Sequence, residues 1–497
     1  MTDAPPRPVR KVVIVGRDEA LWLTAAVLQR TFARSDLSFT AVELPSLLRP
    51  GEVLPTLDSQ ASFHAQLGLE EEVLMRALGA TFTLGQQYVG WAKNAPPVFV
   101  GYSSTGVAVQ NVPFHHLWLR ARASGLSVAY EDFAINAACA KHGRLLTREA
   151  ELSGFAEAGR GYHLPAAPYG EMLRQVALKR GVRHLPAAHV SPVVQHAQMS
   201  AVVLSDGQTV EGDLFIDTTG SEARLLSQMP ETGFTSWRHW LPFDRLLTSY
   251  AAPATPLPAF AQITAFRSGW TGLFPLRDYT ALQQVYTTDE LSDDEAFEAA
   301  AVVARVSLNP QATVTPFEAG QRRAWSGNVI GLGDAAAVLD PLGSARMPAL
   351  LFGLSHLTAL FPLDTDGLES AVYNRTVAQV YARLRDAQIL LYSLNKRRDQ
   401  PVWDRLRSQS LPPELAYRLE LFSACGHMPM YDEETFDEAW WIAACLGHGR
   451  LPAAYDVRAD QIAEPDLIRH FQSVLGYVRK QVETMPTPDA VSRAATV

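Results

Sequence analysis

Between Lys11 and Arg30 the chain reads Lys-Val-Val-Ile-Val-Gly-Arg-Asp-Glu-Ala-Leu-Trp-Leu-Thr-Ala-Ala-Val-Leu-Gln-Arg. An apolar run from Val12 to Val15 stops at Gly16, and Leu21, Ala25 and Leu28 then recur on one helical face. That pattern predicts a buried strand turning sharply into a helix. Such a strand, glycine turn and helix open a dinucleotide-binding unit, which places the chain in the α/β class. The unit uses three glycines: one for the tight turn, one so that backbone can approach a pyrophosphate, one so that helix and strand pack closely. Only Gly16 is present. Asp18 stands at the second position and Leu21 at the third, with Arg17 and Glu19 beside them. The phosphate pocket is therefore expected to be formed but obstructed, with Arg17 as the local partner of Asp18 and Leu21 buried by a slightly wider spacing of helix and strand. An Asp18 carboxylate about 4 Å from a phosphate charge, at an effective dielectric near 20, is repelled by roughly 4 kcal/mol. That is about a thousandfold in affinity.

With 497 residues, 47% hydrophobic and 19% charged, the chain has the material for a large globular core. A formal net charge of −9 argues against nucleic acid or an anionic membrane surface as partner. No stretch approaches eighteen uninterrupted apolar residues. Cys139, Cys425 and Cys445 are far apart and without Cys-x-x-Cys spacing, so neither a disulfide framework nor a zinc site is suggested, and a reducing cytoplasm is the expected compartment. Residues 1–10 lack the apolar centre of a signal peptide and are expected to form a flexible arm.

Further along, Glu43 ends a second strand candidate, Leu37 to Leu44, at the spacing where an acid accepts a hydrogen bond from a ribose hydroxyl; a plain surface carboxylate is the alternative. Gly51 to Leu57 reads as a loop, Phe82 to Trp91 and Val98 to Val109 as strands, and Pro113 to Leu119 as the opening of a helix. His115 and His116 have no third ligand at a recognisable spacing, so no metal is expected. A helix is expected within Tyr162 to Gly181, and strands at Ala201 to Leu204 and at Asp213 to Gly220, the latter emerging at a small-residue turn. Asn328 to Ala336 delivers Gly333-Asp334 into a helix start, where an Asp can accept from a ribitol hydroxyl and exposed amides can meet a pyrophosphate. From Leu368 the chain is mostly helical, with Trp403, Phe422, Trp440 and Trp441 as expected core and Lys396-Arg397-Arg398 as an expected solvated face. The expected division is an arm at 1–10, a main domain at 11–365 with an interleaved substrate-side β-sheet, a helical subdomain at 366–484 and a loose tail at 485–497.

Taken together, and in this order, several segments resemble the flavin-dependent tryptophan halogenases, a branch of the FAD-dependent monooxygenases. They are Val15-Gly16 with Trp22, Gly51-Glu52, Pro113 to Leu119, Tyr162-His163, Asp213 to Gly220, Gly269-Trp270, Arg323-Ala324-Trp325, Asp340-Pro341-Leu342 and Arg398 to Trp403. The resemblance covers nearly the whole chain. It implies a Rossmann-type FAD-binding fold with an inserted β-sheet and a helical C-terminal region. It also implies cofactor contacts at Gly16, Asp18, Glu43, Gly220, Gly333, Asp334, Ala345 and Arg346, and a substrate pocket near Pro113, His116 and Trp270.

In that family a flavin hydroperoxide is attacked by chloride, and a lysine and a glutamate deliver the resulting hypochlorous acid to the aromatic ring. The lysine position here holds Thr83, and the glutamate position holds Gly343. A threonine hydroxyl forms no chloramine, and glycine cannot take up a ring proton. The family's chloride-binding Thr-Gly is Ala345-Arg346, and the second tryptophan of its Trp-x-Trp signature is Gly272. Two readings follow from the resemblance. In the first, the protein binds FAD weakly or not at all and is not a competent halogenase alone, serving as a binding protein or as a hetero- or homo-oligomeric partner of a halogenase-like protein. In the second, it is an active FAD-dependent monooxygenase on an indole-like substrate with altered chemistry. Either way, a cavity beside Trp270, Thr83 and His116 is expected to suit a flat aromatic small molecule.

Overall fold

A computed structural model describes residues 8–147, 158–362, 364 and 368–494. The opening stretch folds as its periodicity predicts, into strand β1 (Lys11–Gly16) and helix α1 (Asp18–Thr31), followed by strand β2 (Ser38–Glu43). Val12 to Val15 are at most 1% exposed, the burial expected of a parallel strand covered on both faces. The sheet has six strands in the order Trp325–Ser326, Val329–Gly331, Leu214–Thr218, β1, β2, Arg183–Pro186, parallel throughout except at the Trp325–Ser326 edge. Gly16 is required by closeness: a Cβ there would lie 1.9 Å from Thr218 Oγ1 on the adjoining strand. The strand ends thus converge tightly at the lip where an open α/β sheet places its ligand.

A second, interleaved sheet has seven strands, in the order Thr313–Pro316, Arg245–Ala251, Thr280–Tyr286, Gly269–Pro275, Ala261–Phe266, Gly85–Val89, Val98–Gly101. The expected strand Phe82 to Trp91 is in fact two. Thr81–Thr83 joins a small sheet with Val53–Pro55 and Gly161–Pro165, while Gly85–Val89 joins the seven-stranded one. One continuous segment therefore contributes strands to two sheets, which its periodicity does not reveal. For the same reason the Gly51 to Leu57 loop contains a strand at Val53–Pro55, and Tyr162-His163 lie in a strand, with the helix beginning only at Ala166. Val98 to Val109 is strand only to Gly101.

The C-terminal region is helical as expected, beginning with Glu369–Ser393. It does not have a core of its own. Val12, Trp270, Leu390, Trp403 and Val482 belong to one buried cluster, and Trp403, Phe422, Trp440 and Trp441 are all buried in it. Three edge expectations are corrected. The tail past Met485 forms a helix, Pro488–Ala494, whose Asp489 carboxylate accepts from the Leu257 N–H at 3.1 Å. Of the arm, residues 1–7 lie outside the described residues, whereas Pro8 bridges Asp364 and Val9 is buried. The basic patch is not simply solvated, since Arg397 donates to the Gly90 carbonyl and to Gln400 Oε1, both at 2.6 Å. Among the described residues no helix is long and apolar enough to cross a membrane.

Candidate functional site

At the C-terminal ends of the parallel strands lies a cleft of about 210 Å³ lined by Arg17, Asp18, Glu19, Gly220, Gly333, Asp334 and Arg346, among others. That is below the ~300–1,000 Å³ of ordinary small-molecule pockets. Each wall has a local cause. Asp217, fully buried at the end of its strand, accepts from the Thr219, Leu225 and Leu226 N–H groups and so folds the turn that presents Gly220 at φ +89°. Gly333 turns the chain at φ +60° and brings Asp334 into the cleft. Asp18 has φ +56°, a left-handed conformation natural to glycine and costly for most other residues. The turn therefore keeps the backbone of a phosphate loop while carrying a carboxylate.

The start of α1 has no side-chain cap, and its first turn holds Asp18 and Glu19. A helix N-terminus attracts anions, and here the nearest anions belong to the helix itself. Asp18 Oδ2 accepts from the Leu47 N–H at 3.3 Å. The Arg17 guanidinium reaches Glu222 at 3.9 Å, and Asp18 acts on it as a further nearby charge without a direct hydrogen bond. Leu21 is fully buried in the core, as expected.

Arg346 organises the cleft. Its guanidinium lies 3.4 Å from Glu19, 3.6 Å from Glu52 and 3.3 Å from Asp334, so carboxylates from three separate segments hold one cation across the opening. Asp334 foremost, then Glu19 and Glu52, raise the Arg346 pKa above its ordinary value. Burial raises the carboxyl of Glu52, and lifts that of Glu19 to about 7 despite the nearby arginine. Glu19 is 2% exposed and its Oε2 finds no hydrogen-bond partner among the described groups. Since its unfolded value is 4.5, the folded chain retains a proton that the unfolded chain releases. The stabilisation is complete below about pH 4.5 and is lost as pH rises to 7, a change of roughly 3 kcal/mol. Glu19→Gln, which keeps the shape without the charge, is expected to match wild type near pH 4.5 and to exceed it by about 3 kcal/mol near pH 8. Thermal melts at the two pH values check this; a gain independent of pH would refute it.

Glu43 is drawn elsewhere. Its carboxylate accepts from Trp22 Nε1 at 3.0 Å, contacts His184 Nε2 at 2.8 Å and does not line the cleft, so the ribose role expected from spacing is not supported by its position. Ala345 is buried at the head of the helix Arg346–Ala359.

The segments carrying Thr83 and Gly343 do meet. Gln86, three residues past Thr83, donates from Nε2 to Ser344 Oγ at 2.9 Å. Thr83 itself is 1% exposed and donates to the Gly85 carbonyl, and Gly343 sits at φ +77°. Trp270 donates to Tyr392 Oη at 2.8 Å, which donates to Asp340 Oδ1 at 2.7 Å. Burial holds the Asp340 carboxyl at about 6. His116 points elsewhere, accepting from the Asp456 N–H at 3.2 Å in the helix that follows Pro113. Thr83, Trp270 and His116 thus each bond to different neighbours, and none of them lines the cleft of Arg346. Among the described residues no cluster of His, Cys, Asp or Glu could hold a metal ion.

The arginine cage was not foreseen from sequence. Its members Asp334 and Arg346 stand among the expected contacts, but nothing in the sequence pairs them with each other or with Glu19 and Glu52.

The model of the tryptophan halogenase family matches residues 11–464. Tryptophan 6-halogenase SttH of Streptomyces toxytricini is 27% identical over 96% of each chain. Tryptophan 7-halogenase RebH of Lentzea aerocolonigenes is 24% identical over 96% of this chain and 97% of its own. Among solved structures, BrvH, a flavin-dependent halogenase from Brevundimonas sp. BAL3, superposes with a TM-score of 0.93 at 28% identity, covering 98% of this chain and 99% of its own.

Proposed function

Because this chain belongs to the tryptophan halogenase family, whose relatives include flavin-dependent halogenases, we propose that it is a member whose flavin cleft is closed by its own charges, and that it is not a competent halogenase alone. The observation that carries this is Arg346 held across the cleft by Glu19, Glu52 and Asp334. A flavin pyrophosphate needs free backbone donors and unpaired cations. In this cleft Asp18 uses the Leu47 N–H, Arg17 faces Glu222, and Arg346 is already neutralised. The residues present do not fit the group. With Thr83 and Gly343 where the resemblance places the family's lysine and glutamate, the reading is of a scaffold retained for binding, as a small-molecule binder or as the partner of a halogenase-like protein in the cytoplasm.

The test is the visible absorbance of the protein as purified. It is expected to lack flavin bands; stoichiometric flavin would overturn the reading in favour of an active FAD-dependent oxidoreductase with altered chemistry, which the preserved turns at Gly220 and Gly333-Asp334 would then serve.

A further inference from the structure

Glu19, Glu52 and Asp334 converge on the single guanidinium of Arg346, so negative charge is in excess where they meet. Carboxylates gathered this closely raise one another's affinity for protons. None of the three contacts is shorter than 3.3 Å, so the arginine is held by charge more than by short, aligned hydrogen bonds. Its side chain is 45% exposed. It can therefore turn toward solvent or a ligand without unpacking the core once the charge that holds it is withdrawn.

Two of the three carboxylates are poorly kept as anions. Glu19 is 2% exposed and faces Arg346 through Oε1, while Oε2 has no partner among the described groups. The Glu52 side chain is 17% exposed, and its Oε2 accepts from the Arg49 N–H at 3.0 Å. Burial raises both carboxyls, that of Glu19 to about 7. Asp334 is the best solvated of the three, at 23%.

The remaining ionisable groups around Glu19 leave its titration to the cleft. Asp18 and Arg17 precede it in the chain. From the helices packed on α1 come His64, which burial lowers to about 4, and Tyr169, which burial raises, so both stay neutral near pH 7. Farther off, Glu43 pairs with His184 and Arg174, Lys11 with Glu211, and His356 with Glu433.

We propose that Arg346 is a proton-released latch: protons taken up by Glu19 and Glu52 free its guanidinium to meet the phosphates of a nucleotide pyrophosphate diester, which the cleft refuses while both are ionised. The proposal rests on the reading of the cleft as closed by its own charges, and adds that the closure is reversible. Its sign follows from linkage. The nearby guanidinium holds the Glu19 carboxyl down, so a phosphate that draws Arg346 away makes Glu19 grip its proton more tightly. Occupied protein then carries more protons than empty protein, and affinity rises as pH falls. In the empty cleft Glu19 takes up its proton at about pH 7, so affinity is lost above that value, at about tenfold per pH unit for each linked proton.

Calorimetric titration of the whole protein with ADP-ribose, a pyrophosphate diester whose charge is the same at both conditions, tests this at about pH 5.5 and about pH 8.5. Wild type is expected to bind in the millimolar range at the lower pH and at least about thirtyfold more weakly at the higher. Glu19→Gln with Glu52→Gln, which cannot ionise, should bind equally at both, at least as tightly as wild type at the lower pH. Arg346→Gln, at an exposed position, should bind weakly at both, and decides the matter if the double variant does not fold. A wild type that binds equally at the two pH values, more tightly at the higher, or at neither, while the double variant binds at both, would overturn the latch and leave closure by charge standing. So would an Arg346→Gln protein that keeps the wild-type affinity and pH dependence. Wild-type binding at the higher pH as tight as that of the double variant would overturn the closed cleft itself. No saturation of either protein at either pH up to about 10 mM would overturn both.

Discussion

Supplied with a flavin reductase, FAD, NADH, oxygen and chloride, the purified protein is expected to yield no chlorinated tryptophan above background. A positioned acid or base contributes roughly 10²–10⁴ to such a step, and on the reading proposed above the two positions the resemblance assigns to it are lost together. Thr83 can form no chloramine, and its hydroxyl is already donated to the Gly85 carbonyl. Gly343 offers no carboxylate. Turnover should therefore fall at least about ten-thousandfold below a working family member. Restoring the pair by Thr83→Lys and Gly343→Glu is expected not to rescue it. A side chain at Gly343 finds room, since the nearest atom to an added Cβ is Leu391 Cδ1 at 3.6 Å. The φ of +77° there would cost about 1 kcal/mol. On the proposed reading the cleft would still be closed by its own charges. Mass spectrometry of halogenated indole decides; turnover comparable to a working relative would overturn the proposal.

Titration with FAD, followed by quenching of flavin fluorescence, is expected to show no saturation for wild type up to about 100 µM. The variant Asp18→Gly, Glu19→Ala, which keeps Arg346 and removes one of its carboxylate partners, is expected to gain about a thousandfold, the size of one carboxylate–phosphate repulsion of roughly 4 kcal/mol at ~4 Å. Leu21 is left in place because it is fully buried, and Leu→Gly there would open a cavity costing several kcal/mol. Micromolar affinity in wild type would show that the charges do not obstruct. Unaltered weak binding in the variant would show that the obstruction lies elsewhere.

What could be read in the sequence was local, or repeated with a period. The turn from β1 into α1 was legible because Val12 to Val15 and the helix face of Leu21, Ala25 and Leu28 carry their own pattern. The family was legible because many weak motifs keep their order along the chain. The arginine cage was not, since Glu19, Glu52, Asp334 and Arg346 come from segments spread over more than half of the sequence and meet only after the sheet is assembled. Glu43 shows the opposite failure. Its spacing from Gly16 suits a ribose ligand, yet Trp22 and His184 hold its carboxylate, and neither contact leaves a trace in the spacing. The docked tail was missed for a similar reason, as nothing in Asp489 itself points to the Leu257 amide 232 positions away.

The conformation of Asp18 has a consequence for how far this protein stands from its relatives. A non-glycine residue held at φ +56° bears a strain of about 1 kcal/mol or more that glycine would not. Asp18→Gly should therefore stabilise the turn without any movement of the main chain. On the reading proposed above, the difference from a phosphate-binding loop lies in side chains, each replaceable by itself, and not in a rearrangement of the polypeptide. A directed library confined to a handful of positions would then suffice to explore the whole interval between the two.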